Sequence, residues 1–161
     1  MTTEERGTAE EHGTAARAET AGRLQEQLAT VPLFARCHPG DLRVVARRCE
    51  VRAVPSDTVL VRAGDLGDEL FVLISGTAER RLRGDEVRTF GPGDYFGELA
   101  ILDPAPRSLD VVTTSDCLVG VLSRASFLLV LDAVPGVWSQ MLTFLARRLR
   151  EADLREHHET N

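Results

Sequence analysis

One stretch of this chain has residue types at a spacing suited to holding an anion: Gly91-Pro92-Gly93-Asp94-Tyr95-Phe96-Gly97-Glu98-Leu99-Ala100-Ile101-Leu102, and after it Pro106-Arg107-Ser108. The order reads as a strand end, a glycine-rich turn, a single helical turn and a lone arginine entering the next strand. A helix start presents backbone N–H groups without intrahelical partners and the positive end of the peptide dipoles, which together attract an anion. Gly97 lets backbone approach a ligand with no Cβ in the way. Arg107 returns over the same turn and offers a two-pronged guanidinium, each charge-assisted hydrogen bond contributing about 1.5–3 kcal/mol.

Glu98 narrows the anion. A carboxylate beside a phosphate is repulsive unless it has a donor of its own, and a sugar hydroxyl is such a donor. An anion and a ribose hydroxyl held together inside a β structure describe a cyclic nucleotide better than free phosphate. Taken singly, Glu98 reads as an acid in a first helical turn, and Arg107 as a structural bridge to Glu98 or Asp110. Their joint spacing favours a nucleotide pocket. Gly76 and Gly93 read as turn formers, and Trp138 as core.

The elements that must position these residues follow from periodicity. Residues 1–21 hold Thr, Glu, Ala and Gly with no large aliphatic side chain, so they are expected to form a disordered polar tail. N-terminal helices are expected within 22–50: Leu24, Leu28 and Val31 recur at helical spacing, and Leu42, Val45 and Ala46 follow Asp41, a candidate N-cap. From Val51 to about Ser123 the runs TVLVRAG, ELFVLISG, TAERRLRG, EVRTFGPGD, LDVVTT and CLVGVLS are separated by Gly, Pro and Asp, with a hairpin turn at Gly84-Asp85. Close antiparallel strands of this kind form a sandwich or roll. Glu98–Leu102 lacks alternation and ends at Asp103-Pro104, as a one-turn helix would. C-terminal helices are expected over 124–156, the last with Trp138, Leu142, Leu145, Leu149 and Ala152 in a 4-3-4-3 stripe that packs on the β domain or forms a dimer seam.

Composition excludes several functions. The net charge is −6, with 25 acids against 19 bases, so no global basic field draws the chain to nucleic acid or anionic lipid. Cys37, Cys49 and Cys117 are odd in number and lack CxxC spacing, as expected of buried thiols in a reducing cytoplasm. No apolar run is long enough to span a bilayer. The histidines are His12, His38, His157 and His158, all outside the roll, which argues against a metal-binding cupin and against Ser-His-Asp or Cys-His catalysis. A non-enzymatic protein with no metal and no cofactor is expected.

The string GPGDYFGELAILDPAPRS resembles the phosphate-binding cassette of cyclic-nucleotide-binding domains, and GDLGDELFVLISG resembles that family's Gly-Asp strand signature. The resemblance runs from about Val31 to the C-terminus. It implies an α+β fold, an antiparallel β-roll of the double-stranded β-helix or jelly-roll type between N- and C-terminal helices, over 22–161. It implies that Glu98 accepts from the ribose 2′-hydroxyl, that Phe96, Gly97, Leu99 and Ala100 line the ligand with backbone amides on offer, and that Arg107 and Ser108 hold the cyclic phosphate. Aligning ARRLR with relatives of the catabolite activator type places Ala152 and Asp153 near the purine. The implied ligand is cAMP, with cGMP second, and the implied partners are a second copy through the C-terminal helix and an unknown protein effector. Such relatives carry a winged helix after this helix, whereas this chain ends at Asn161, so no direct contact with nucleic acid is expected.

The pattern departs from the family at Ser108-Leu109-Asp110: Leu109 adds bulk where a small side chain is common, and Asp110 adds a negative charge near the phosphate. Ser56 and Ala63 replace a common Gly and Glu. The competing expectation is therefore a degenerate domain serving in dimerisation or docking.

Overall fold

The computed structural model describes the backbone of residues 4–81 and 87–159, and side chains within 13–81, 87–151, 153 and 154. Two helices, α1 (Glu4–Thr30) and α2 (Pro39–Arg48), precede eight strands: β1 (Glu50–Val54), β2 (Val59–Val61), β3 (Glu69–Ser75), β4 (Ala78–Arg81), β5 (Val87–Phe90), β6 (Tyr95–Phe96), β7 (Asp110–Thr113) and β8 (Cys117–Ser123). A short helix α3 (Glu98–Leu102) interrupts them after β6, and α4 (Arg124–Ala133) and α5 (Pro135–Glu159) close the chain. The strands form two four-stranded antiparallel sheets, β1-β8-β3-β6 and β2-β7-β4-β5, the jelly-roll arrangement expected.

β3 explains why its sequence, ELFVLIS, does not alternate. Leu70, Val72 and Ile74 face one core, shared with Leu24, Leu28, Phe34, Phe127 and Met141 of the helical layer. Phe71 and Leu73 face a second core between the sheets, with Val61, Ala78, Phe90, Phe96 and Val111. A strand covered on both faces reads as a continuous apolar run. The buried side chains Leu24 and Leu28 of α1, and Val31 just after it, each contribute about 1.5–3 kcal/mol by leaving water.

Several expectations are corrected. Residues 1–21 were expected to be disordered, yet α1 runs back to Glu4 as one helix. Good helix formers and local bonds such as Arg23 to Glu19 (3.0 Å) support it, while residues 13–19 bury nothing. Asp41 is not the N-cap of α2: that position is His38, and Asp41 stands at N3, where its Oδ2 accepts from the His38 backbone N–H at 3.1 Å. β1 and β6, which no sequence run announced, pair with β8 and β3. Trp138 is 44% exposed rather than core, and Leu142 and Leu149 are exposed with it. α5 carries two apolar stripes offset by about one residue. The one that packs inward is Val137, Met141 and Phe144, because it faces the cleft between α4 and the sheet. The expected turn at Gly84-Asp85 lies outside the described residues. No single described helix is long and apolar enough to cross a membrane.

Candidate functional site

Pairing of β3 with β6 ends the β6 strand at Phe96, and the chain must then turn sharply into α3. Gly97 makes that turn at φ 96°, in the left-handed region that disfavours any side chain, and a Cβ there would lie 2.5 Å from the Glu69 carbonyl oxygen. α3 then spans Glu98–Leu102, as the sequence indicated, with Ala100 and Ile101 buried and Leu99 exposed.

The two sequence motifs meet at Arg107. Its backbone N–H donates to the Asp65 carbonyl and its own carbonyl accepts from the Gly64 N–H, both at 2.8 Å, while Leu66 and Pro106 form an isolated bridge. The Gly-Asp loop is thus the backbone clamp of the arginine. Its side chain lies across Gly67, where a Cβ would come within 1.9 Å of Nε, and against Gly97. Nη1–H donates to the Gly97 carbonyl at 3.2 Å and Nη2–H to the Glu69 carbonyl at 2.8 Å. A guanidinium has five N–H donors, so three are left for a ligand. Burial lowers Arg107 from its ordinary value, and the negative charges of Glu98, Glu69 and Asp68 oppose that shift.

Glu98 is a buried carboxylate, its side chain 7% exposed. Its Oε1 accepts from Arg148 Nη1 of α5 at 2.8 Å, and Oε2 has no hydrogen bond from a described residue. Arg148 also lies over the Phe144 ring, 5.6 Å from its centroid, and Phe144 meets Tyr95 at 5.9 Å. Tyr95 is pushed up to about 12 by burial and then by the Glu98 charge, and its hydroxyl is buried without a hydrogen-bond partner. A layered contact therefore joins the carboxylate to the last helix.

These groups border one cavity of about 520 Å³, within the range of small-ligand pockets. Phe96, Gly97, Glu98, Leu99, Ala100, Arg107 and Ser108 all line it. Leu109 lines it too, so its bulk does enter the space. Asp110 does not: its Oδ1 accepts from the Ala63 N–H at 2.7 Å, tying the charge to the loop after β2. Asp153 is not among the residues that line the cavity. α5 reaches the cavity at Leu145 and Arg148, more than a helical turn before Asp153, which is exposed; the Ala152 side chain lies outside the described residues.

Sequence reasoning missed Arg148, Gly67 and Arg80. For Arg148 a signal existed, since it continues the inward 4-3-4 stripe Val137, Met141, Phe144. Gly67 looked like an ordinary turn residue, because nothing local shows that an arginine forty residues later lies upon it.

A model of the family described as the cyclic nucleotide-binding domain matches residues 51–133. The chain is 35% identical over 103 residues to a Pycsar effector protein, XpPycTIR, of Xanthomonas perforans, covering 63% of this chain and 34% of that protein. It is 34% identical over 128 residues to the cyclic AMP receptor protein of Thermus thermophilus, covering 76% of this chain and 59% of that protein. Among solved structures, the regulatory domain of Toxoplasma gondii PKA with cAMP superposes with a TM-score of 0.62 at 33% identity, covering 70% of this chain and 44% of that one. The chain thus matches less than two thirds of each relative's length.

Proposed function

The chain belongs to the cyclic nucleotide-binding domain family, and from that membership we propose that it is a regulatory sensor: a cyclic nucleotide enters the cavity and α5 transmits occupancy. The observation that carries this reading is that a slotted guanidinium, Arg107, and a buried carboxylate, Glu98, face one cavity. The three remaining donors of Arg107, with the Ser108 hydroxyl, suit the cyclic phosphate. Glu98 Oε2 suits a ribose hydroxyl. cAMP is named for two of these relatives, the Thermus receptor protein and the Toxoplasma PKA regulatory domain, so it is the first nucleotide to test.

Transmission runs through Arg148. A ribose that hydrogen-bonds Glu98 changes the charge balance of a carboxylate already paired with α5, so the helix is biased between two positions by the ligand's differential contacts. The output surface is the exposed stripe Trp138, Leu142 and Leu149, which suits a second copy of this helix or a protein effector. The domain itself is read as non-catalytic, and an effector activity such as that named for the Xanthomonas relative would belong to another part of a longer protein.

Thermal melting and titration calorimetry with cAMP and cGMP test the proposal. Ligand that binds the folded state must raise the midpoint by mass action, about 2.7 kcal/mol at a hundredfold excess over Kd. Flat melts and flat calorimetry at millimolar concentrations of both nucleotides would sink it. The result would favour a second reading, a domain retained for docking, for which the existing Glu98–Arg148 pair and Leu109 in the cavity speak.

A further inference from the structure

Besides Arg107 and Arg148, the cavity is lined by a third arginine, Arg80, that neither the phosphate nor the ribose uses. Arg80 sits on β4 in a cross-strand row, paired with Val111 of β7, which pairs in turn with Val61 of β2. All three line the cavity. Arg80 shares the inward face of β4 with Ala78, which is fully buried in the core between the sheets. Its Nε is buried with no hydrogen-bond partner, and the side chain makes no ion pair with any described residue. On β5 the residue directly opposite is another arginine, Arg88, stacked over the Phe90 ring at 5.4 Å. Like charges facing each other across two strands are destabilising, and a buried N–H without an acceptor is costly. Both costs are relieved by a ligand group that only accepts hydrogen bonds.

The phosphate cannot be that group, since Arg107 holds it at the cassette end, in the slot between Gly67 and Gly97. The wall around Arg80 is apolar, formed by Val61, Leu109 and Val111, which suits the flat faces of a nucleobase. Arg80 then meets the edge of the base. A guanidinium is donor-only, so it matches a keto edge such as guanine O6 and N7 and is repelled by an amino donor such as adenine N6. Resting on the cyclic-nucleotide reading above, we infer that Arg80 selects the base and that the pocket prefers a keto-base cyclic nucleotide over an amino-base one.

Calorimetry of the full chain with cGMP, cIMP and cUMP against cAMP and cCMP tests this, the purine and pyrimidine members separating base size from base edge. The keto member of each size class is expected to bind about 5- to 100-fold tighter, the range a good two-point base contact supplies. Arg80→Leu should bring that ratio to within about threefold. Arg80→Gln should turn the purine preference toward cAMP, because an amide pairs with adenine N6 and N7. Arg107→Ala should weaken every nucleotide alike. The inference is overturned if the wild-type chain binds cAMP at least as tightly as cGMP and cIMP, or if a folded Arg80→Leu keeps the wild-type ratio. If none of the five nucleotides binds, the cyclic-nucleotide reading itself fails, which is a separate result.

Discussion

Gly67→Ala isolates the placement of Arg107 from the arginine itself. The added methyl would lie 1.9 Å from Nε and 2.3 Å from Cζ and Nη2 of Arg107. Ordinary contact begins near 3.4 Å, so the guanidinium must move by about 1.5 Å, and bonds of 2.8 and 3.2 Å to the Glu69 and Gly97 carbonyls stretch past useful length. The fold tolerates this. Gly67 does not need a positive φ, the displaced atoms are the far end of a flexible side chain, and alanine reduces the entropy of the unfolded chain by about 0.4–1 kcal/mol. The ligand does not tolerate it: two charge-assisted bonds to the phosphate are lost, about 3–6 kcal/mol together, or roughly a hundred- to ten-thousand-fold in Kd. Calorimetry with the tightest-binding cyclic nucleotide reads the affinity, and the ligand-free melting midpoint should stay within a few degrees of wild type. If Gly67→Ala binds within about threefold of wild type while Arg107→Ala does not bind, the slot is not what places the arginine, and the reasoning fails.

Other expectations follow from the same contacts. Arg148→Ala should lower the ligand-free midpoint because it leaves Glu98 buried without its pair; since Arg148 is itself 46% exposed, the loss is about 1–2 kcal/mol, and adding Glu98→Gln should recover part of it in a double-mutant cycle. The single tyrosine makes Tyr95 readable by tyrosinate absorbance, whose midpoint in the folded chain should fall at about 12 rather than 10. Because the folded value is raised, the folded state keeps its proton longer than the unfolded chain, so stability present below pH 10 declines as pH rises from 10 toward 12. Tyr95→Phe removes a buried hydroxyl with no partner and should raise the melting midpoint, by about 1 kcal/mol of stability. Cys49, pushed up to about 12 by burial, should react with a disulfide reagent at neutral pH far more slowly than a free thiol, and a fast reaction would show that its side of α2 opens readily.

What could be read from residue order was whatever depends on local spacing. The strand runs, the one-turn helix at Glu98–Leu102, and the Gly97-Glu98 and Arg107 constellation are each encoded within a dozen residues or so, and each is found at the expected place. Helix packing was less legible. α5 offers two apolar stripes about 100° apart, and only the shape of the surface beneath decides that Met141 turns inward while Trp138 and Leu142 turn out. β1 carries no strong signal of its own and becomes a strand because β8 offers it a ladder of five residues.

The tertiary structure alone decided what surrounds the site. The two glycine-rich motifs form one unit because the 64–67 loop lies under Arg107, a contact between residues forty positions apart. Asp110, a threat to the phosphate by sequence distance, is tied away by the Ala63 N–H. Glu98 meets Arg148 across fifty residues, and Arg80 reaches the cavity by its register against Val111. Sequence spacing determines which groups share a turn or a strand face. Which groups from separate elements meet is set by sheet register and helix docking, and those arise only once the apolar faces are buried together.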